Sequence, residues 1–229
     1  MGGNVAPNIV TDGLIFYLDG ANSRSIISGD TTCYDLSLTK LNGTLYSGAS
    51  YDTSNGGTFI FDGNDDWIEI NSSSASALNI TSDKLTLCAF VNYQTTSDWQ
   101  SIFYKDSGNS RGYQLFINDQ NKIAFGVRTN TGFTRLITPS ALDQNSWKYI
   151  TTTYDGSLMK IHVNGELITS TSKTGNITSS STRNLWISYS TYLTEHFFGK
   201  ISTMKIYNRS LSNDEIKQNF NVIKSRFGL

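Results

Sequence analysis

The sequence predicts an all-β fold, in which two antiparallel sheets pack as a sandwich and one short helix follows at the C-terminal end. Short stretches rich in aromatic and β-branched residues follow one another closely, and turns containing Gly, Asn and Asp separate them. No helical periodicity interrupts this series before residue 211. A chain of 229 residues with 38% hydrophobic residues is long enough to bury a sizeable core between two sheets.

The first strands are predicted from apolar runs and from alternation of apolar and polar residues. They cover residues 13–19, 58–61, 67–70, 85–93, 101–105, 113–118, 122–128 and 133–138. The segment 85–93 alternates well enough for a strand with one buried face.

The clearest local signal is WKYITTTYDGSLMKIHVNGELITS, which spans residues 147–170. Two dipeptides suited to tight turns, Asp155-Gly156 and Asn164-Gly165, divide it into three strand-like parts. The pattern predicts a three-stranded meander over residues 147–154, 158–163 and 166–170.

A single helix is predicted at the C-terminal end. Ser212 and Glu215 have the spacing of a capping box, and apolar residues follow at helical spacing. This stripe is expected to pack on the sandwich edge or on the chain's own core; a partner surface is the less favoured alternative. The organisation predicted is an extended lead-in at residues 1–12, one sandwich at 13–210 and the helix at 211–229.

Composition and charge exclude several classes. The net charge of −1 and the scattered basic residues give no electrostatic footprint for nucleic acid or membrane surfaces. No signal peptide is recognised, and no apolar run reaches the ~20 residues of a membrane span, so a soluble protein is expected. Cys33 and Cys88 are expected to be buried free thiols rather than a disulfide.

Three ordered motifs carry a family resemblance. The 147–166 meander, FIFDGNDDWI at residues 59–68 and FGKISTMKIYNRSLS at residues 198–212 resemble laminin-G and pentraxin-like domains of the concanavalin A-like superfamily. The resemblance implies a jelly-roll sandwich. The ends of the chain, including DGLIFYLDGAN at residues 12–22, are similar to lectin-like domains of tailed bacteriophages, which implies a virion or tail-associated protein.

Catalysis is not expected. Relatives of this fold include retaining glucanases, which need two carboxylates about 5–5.5 Å apart. Acids on one strand face recur every second residue, yet Glu69 has no acidic partner at 71 or 73. His162 and His196 accompany no nucleophile motif or zinc-ligand spacing, and His162 is interpreted as structural.

Calcium is the candidate cofactor. Asp62, Asn64, Asp65 and Asp66 cluster in one turn and offer the hard oxygen ligands that this ion prefers, with Asp62 and Asp66 as the chosen ligands. The resemblance implies a further acid in the closing strand, where this chain has Ser202 or Thr203. The alternative is that the two aspartates bond the amides of their own turn.

For a sugar ligand, an aromatic platform and hydroxyl-binding groups are needed. The chosen residues are Trp99, Arg111, Tyr192 and His196, which fall in three polar loops. The predicted function is non-catalytic recognition of a carbohydrate or host-surface receptor by a phage virion or tail protein. The alternatives are a virion decoration protein, with other virion proteins as partners, and, less favoured, a glycoside hydrolase.

Overall fold

The computed structural model describes residues 8–27, 29–71, 76–106, 111–180, 182–191 and 195–229. In this part of the chain sixteen strands form two antiparallel sheets of eight strands each. The sheets pack face to face, and the buried side chains between them form the main core. The predicted sandwich with a short C-terminal helix is confirmed.

The first sheet runs in the order β14-β13-β12-β7-β16-β5-β4, and β1 pairs with the second half of β16. Its strands are β1 (Leu14–Asp19), β4 (Ser50–Asp52), β5 (Thr58–Asp62), β7 (Leu85–Tyr93), β12 (Lys148–Tyr154), β13 (Leu158–Val163), β14 (Glu166–Ser172) and β16 (Phe198–Tyr207).

The second sheet runs in the order β11-β10-β9-β8-β15-β6-β3-β2. Its strands are β2 (Thr32–Cys33), β3 (Gly43–Tyr46), β6 (Trp67–Ile70), β8 (Gln100–Asp106), β9 (Arg111–Ile117), β10 (Ile123–Thr129), β11 (Gly132–Ile137) and β15 (Leu185–Ile187).

The predicted strands all occur, with end shifts of a few residues, and the 147–170 meander is β12, β13 and β14. Both residues of its second turn have positive φ, 52° at Asn164 and 85° at Gly165, as a two-residue hairpin turn requires. The four strands without a prediction, β2, β3, β4 and β15, have two to four residues, too few to show a period.

Strand β7 departs from its prediction. Eight of its nine residues are buried, so both faces are covered rather than one. The inner face meets the main core, and the outer face, which carries Cys88 and Phe90, lies beneath the C-terminal helix. The alternation of residue types in β7 does not indicate that a helix covers its outer face.

The helix α1 spans Asn213–Ile223 and is followed by a 3-10 turn at Lys224–Phe227. Its capping box is formed: the Glu215 N–H donates to Ser212 Oγ, and the Ser212 N–H donates to the Glu215 side chain. The helix lies on the outer face of the first sheet, against Phe90 and Tyr149, and not at the sheet edge that was one of the two expected places.

The lead-in is held by the same region. The Val10 N–H donates to Asn219 Oδ1 at 2.8 Å, and the Tyr207 hydroxyl donates to the Val10 carbonyl at 2.9 Å. Cys33 and Cys88 are buried free thiols, as expected. Among the described residues no helix is long and apolar enough to cross a membrane.

Candidate functional site

The outer face of the second sheet carries a row of aromatic side chains. Alternation along the strands places Trp67, Tyr104, Phe116 and Trp186 on this face, opposite to the core-facing residues of the same strands. Neighbouring rings in this row lie 5.1–6.4 Å apart, from Tyr46 at one end to Trp99 at the other. The face is therefore a continuous aromatic surface.

Tyr189, which follows β15, packs over the middle of this surface. Tyr189 lies on Trp67, with ring centroids 5.4 Å apart, and on Trp186, at 6.3 Å. The Ser101 hydroxyl donates to the Tyr189 carbonyl at 3.0 Å. Tyr189 thus covers the middle of the row, while Tyr46 at one end is exposed and Trp99 at the other is partly accessible.

Two clefts open around Trp99. The larger, of about 510 Å³, is lined by Gly63, Asn64, Thr96, Asp98, Trp99, Glu195 and His196. The smaller, of about 210 Å³, is lined by Trp99, Arg111, Gln114, Phe116, Arg135, Ser190 and Glu195. Trp99 and Glu195 line both, so the two clefts are neighbouring compartments of one site, which we call the Trp99 cleft.

Three of the four residues chosen from sequence lie here. Trp99 and His196 line the larger compartment, and Trp99 and Arg111 the smaller one. Tyr192 lies outside the described residues. Gln114, Arg135 and Glu195 were not predicted; the position of Gln114 on the outward face of β9 was readable from alternation, but not its convergence with Glu195.

Trp99 is half-buried and held from one side by a cation. The Arg135 guanidinium carbon lies 4.4 Å from its ring centroid, and Phe116 meets the indole edge-on at 6.3 Å. A guanidinium over an indole face is attracted by the ring quadrupole. The indole is therefore fixed in place and partly accessible, as a platform for a ligand must be.

Gly126 makes room beneath these side chains. A Cβ at this position would lie 2.7 Å from Gln114 Cγ and 2.7 Å from Phe133 Cζ. Since real Cβ contacts are longer, any other residue here would displace both side chains. The glycine of β10 thus leaves the space that the side chains of Gln114 and Phe133 occupy over the strand.

Glu195 is the carboxylate shared by both compartments. Burial raises the pKa of its carboxyl group, against the lowering effects of Ser190, Arg111 and Arg135. Its Oε2 atom is buried and has no hydrogen-bond partner in the described part of the chain. A desolvated carboxylate oxygen without a donor is a site that a ligand hydroxyl can satisfy.

Two further buried donors lack partners within the described ranges. They are Gln114 Nε2, in a side chain that is 1% exposed, and the indole Nε1 of Trp67. Burying a polar group without a hydrogen bond costs free energy, so such groups are rare in folded proteins unless a ligand or water completes them. Gln114 lines the smaller compartment directly.

The acidic turn lies at the edge of the larger compartment. Asn64 donates to both oxygens of Asp62, from its N–H at 2.8 Å and its side-chain amide at 3.0 Å. These bonds hold the pKa of Asp62 below its usual value, whereas burial raises the pKa of Asp66. The Asp62 N–H donates to Asp66 Oδ2 at 2.9 Å.

The turn fits calcium in part. Oxygen atoms of Asp62, Asp65 and Asp66 lie within 4.8 Å of one another, and Asp66 Oδ1 is buried without a partner among the described residues. The bonds within the turn are those of the alternative interpretation. The family position at Ser202 lies away from the turn, because Asp62 pairs with Phe198 and Ser202 accepts from Arg226 at 2.9 Å.

The groups considered for catalysis have other roles. Glu69 accepts a hydrogen bond from the Trp186 indole at 3.0 Å on the second sheet. His162 is buried on the first sheet, and its Nε2 lies 3.2 Å from Asn213 Oδ1. Burial lowers the pKa of this histidine. Neither residue lines the Trp99 cleft.

Comparison with known proteins places this geometry in a family. A laminin-G-type profile, described as the concanavalin A-like lectin/glucanases superfamily, matches residues 62–217. No curated protein matches the sequence.

Several solved structures share the fold. The binding domain of Paraclostridial Mosquitocidal Protein 1 is 18% identical with a TM-score of 0.72, over 93% of this chain and 52% of that one. The ligand-binding domain of botulinum neurotoxin serotype D, solved with N-acetylneuraminic acid, is 17% identical with a TM-score of 0.73, over the same shares. The serotype G binding domain is 16% identical with a TM-score of 0.73, over 91% and 51%.

The chain spans about half the length of these solved domains. At such low identity the likeness establishes the fold and nothing about the ligand.

Proposed function

Because this chain belongs to the concanavalin A-like lectin/glucanases superfamily, we propose that it is a non-catalytic module that recognises carbohydrate in the Trp99 cleft. One observation carries the proposal: the half-buried indole of Trp99 lines one compartment together with Glu195 and Gln114, whose Oε2 and Nε2 atoms are buried and have no partner in the described chain. An aromatic face takes the apolar side of a sugar ring, and acids and amides bind its hydroxyls.

The solved relatives support recognition as the function class. They are described as binding domains, and one was solved with N-acetylneuraminic acid and another with SialylT. Those ligands belong to those proteins. For this chain the support is the cleft itself, whose lining combines Trp99 and His196 with Asp98, Asn64 and Glu195.

The test is glycan-array binding followed by calorimetry on each ligand found, using the full chain. Trp99→Ala and Gln114→Leu should each lower affinity on the order of tenfold or more, because each removes a proposed ligand contact. Tyr34→Ala is the matched control, since Tyr34 is a half-buried aromatic lining a separate cleft of about 420 Å³. Binding that is unaffected by both cleft substitutions, or lost only in the control, would contradict this site.

We also propose that the protein is part of a phage virion or tail and binds a host-surface glycan or receptor. The support is the similarity of its end segments to lectin-like phage domains. Antibodies against the chain should label purified particles, and the free chain should bind host polysaccharide. Labelled particles combined with no glycan binding would favour the alternative, a decoration protein whose partners are other virion proteins.

Calcium at Asp62 and Asp66, with Asp65, is a further proposal, supported by the unpartnered Asp66 oxygen. When bound, the ion would supply positive charge and order to the edge of the larger compartment. Calcium added to chelator-treated protein should give heat and a higher melting temperature, and Asp66→Asn should lose both. No heat and no shift in the unaltered chain would remove the site.

A further inference from the structure

Three arginines converge on one ring at the far end of the Trp99 cleft. The guanidinium carbons of Arg111, Arg128 and Arg135 lie 5.2, 5.6 and 5.7 Å from the centroid of Phe133. We call these four residues the Phe133 arginine cluster. Its members come from three adjacent strands, β9, β10 and β11, so the sheet itself brings the charges together.

The backbone register fixes this arrangement. Arg128 pairs with Phe133, and Gly126 pairs with Arg135, on the outward face of β10 and β11. Arg128 Nε donates to the Arg111 carbonyl at 2.9 Å, which ties β10 to the start of β9. A planar guanidinium presents its N–H groups in its own plane, where a pair of them suits the two oxygens of a carboxylate or sulfate.

The charge around the cluster is predominantly positive. Lys173 adds a fourth cation beside it: its ammonium donates to Thr131 Oγ1 at 3.1 Å and to the Gly132 carbonyl at 2.9 Å, and burial together with the charge of Arg128 lowers its pKa. Asp106 is the strand partner of Arg111, and Glu195 lines the same compartment. Four cations therefore face these two acids, in a chain whose net charge is −1.

The opposite end of the cleft has the reverse character. Asp98 and Asn64 line the larger compartment, and the acidic turn adjoins it. A ligand that spans Trp99 would thus meet acids and amides at one end and guanidinium groups at the other. Such a gradient selects both the charge and the direction of the ligand.

We propose that the Phe133 arginine cluster binds an anionic substituent, a carboxylate or sulfate, of an acidic glycan whose neighbouring sugar ring rests on Trp99. This inference rests on the proposed function and names its ligand class. Nucleic acid is not the favoured anion, because the rest of the chain offers no extended basic surface.

The experiment compares matched oligosaccharides by calorimetry on the full chain. The probes are an oligouronate, the same oligouronate after reduction of its carboxyl groups, a sulfated oligosaccharide and a neutral glucan oligosaccharide. The oligouronate or the sulfated probe should bind at least tenfold more tightly than the neutral ones. Raising sodium chloride from 0.05 to 0.5 M should weaken only the charged probes, because salt screens ionic contacts.

Variants assign the effect to the cluster. Arg128→Gln and Arg135→Gln should each reduce the preference for the acidic probe three- to tenfold, while Arg135→Lys, which keeps the charge without the planar group, should restore only part of it. Lys217→Gln is the control, since it removes one positive charge from the exposed surface of α1, on the other sheet. Thermal melting of every variant checks folding.

Each outcome decides one of the two proposals. If the reduced oligouronate binds as tightly as the acidic one and Trp99→Ala abolishes both, the cleft binds sugar and the anionic inference is wrong. If acidic binding survives Trp99→Ala but is lost in the arginine variants, the anion site stands and the indole platform is wrong. If no probe binds, both proposals are contradicted.

Discussion

The outer faces of the two sheets carry similar aromatic surfaces, but the two surfaces differ in how completely the rest of the chain covers them. On the first sheet, Phe90 and Tyr149 are completely buried, and Phe227 from the C-terminal turn stacks on Phe90 with centroids 4.2 Å apart. On the second sheet, Trp99 and Trp67 remain half-buried, and a polar segment contributes Glu195 instead of an apolar stripe. One face is sealed by the chain's own helix, whereas the other keeps open clefts lined by Gln114 and Glu195, each of which has a buried polar atom without a partner among the described residues.

This difference shows where to look for function in a sandwich of this kind. An aromatic surface covered by an amphipathic helix is explained by packing and needs no ligand. A similar surface lined by arginines, an amide and a desolvated carboxylate is not explained by packing, because those groups gain little from burial alone. The comparison predicts that substitutions on the sealed face change stability and that substitutions on the open face change binding.

The largest effect is expected from Phe90→Ala on the sealed face. Phe90 contacts Trp147, Tyr149, Phe220 and Phe227, and its removal leaves a cavity beneath α1. The free energy of unfolding measured in urea should fall by about 3–5 kcal/mol. Glycan affinity of the folded fraction should not change. A loss below about 1 kcal/mol would mean that the helix is not a structural cover.

Lys205 is a buried lysine of the sealed face, and the second largest effect is expected there. Lys205 Nζ has no hydrogen-bond partner in the described chain and lies 4.8 Å from the centroid of the Tyr17 ring. Cys88, Tyr149, Asp19 and Arg226 also surround it. Burial lowers its pKa to about 8. Lys205→Met should therefore raise the free energy of unfolding at pH 7 by about 3 kcal/mol.

The sign of the pH dependence checks this prediction. The unfolded lysine keeps its proton to about pH 10.4, whereas the folded one loses it near pH 8, so the cost of the buried charge is complete below pH 8 and disappears above pH 10.4. The advantage of Lys205→Met should shrink across that interval in urea titrations. Lys105→Met is the contrast: burial also lowers the pKa of Lys105 to about 8, but its ammonium donates to the carbonyls of Ser180 and Arg183, which the substitution would leave without that donor. Lys105→Met should therefore stabilise the protein less than Lys205→Met does.

The sequence predicted the sealed face better than the open one. The capping box and the apolar spacing after Ser212 are local patterns, so α1 could be predicted without tertiary information. The face that α1 covers could not be predicted, because nothing local in β7 marks Phe90 as buried rather than exposed. The same holds for Lys205. A lysine in a strand is predicted to be exposed to solvent unless the element that covers it is known.

The Trp99 cleft, on the open face, was predicted from the sequence only in part. Trp99, Arg111 and His196 were predicted from loop composition, and the fold brings them to neighbouring compartments. Gln114 and Glu195 were missed because their importance is a matter of convergence: β9 and the segment before β16 are about 80 residues apart in sequence. A single sequence carries no pairing information over such distances.

A smaller effect is expected from the cap of the covering helix. Ser212→Ala removes the oxygen that accepts from the Glu215 N–H and should lower the free energy of unfolding by about 1 kcal/mol. Ser225→Ala, at an exposed position after the helix, is the control and should change it by less than about 0.5 kcal/mol. A cap effect as large as that of Phe90→Ala would mean that local capping, rather than packing on the sheet, holds the cover in place.

The smallest effect on stability is expected from Glu195→Gln on the open face, and its direction is what matters. Burial raises the pKa of Glu195, so ionising the carboxyl costs more free energy in the folded protein than in the unfolded one, and this cost lowers stability at neutral pH. The amide should stabilise the protein at pH 7 by less than about 1 kcal/mol, since the side chain is only half-buried. Because the cost exists only where the carboxyl is ionised, the gain should vanish below about pH 4.

The same substitution should weaken glycan binding at pH 7, because the amide offers one oxygen acceptor where the carboxylate of Glu195 offers two. Urea titrations at pH 4 and 7 and calorimetry at pH 7 measure the two effects together. A residue that costs stability and serves binding is the signature of a functional position. If Glu195→Gln destabilises the protein at pH 7 and leaves binding intact, Glu195 is a structural residue, and the open face would differ from the sealed one only in how it is packed.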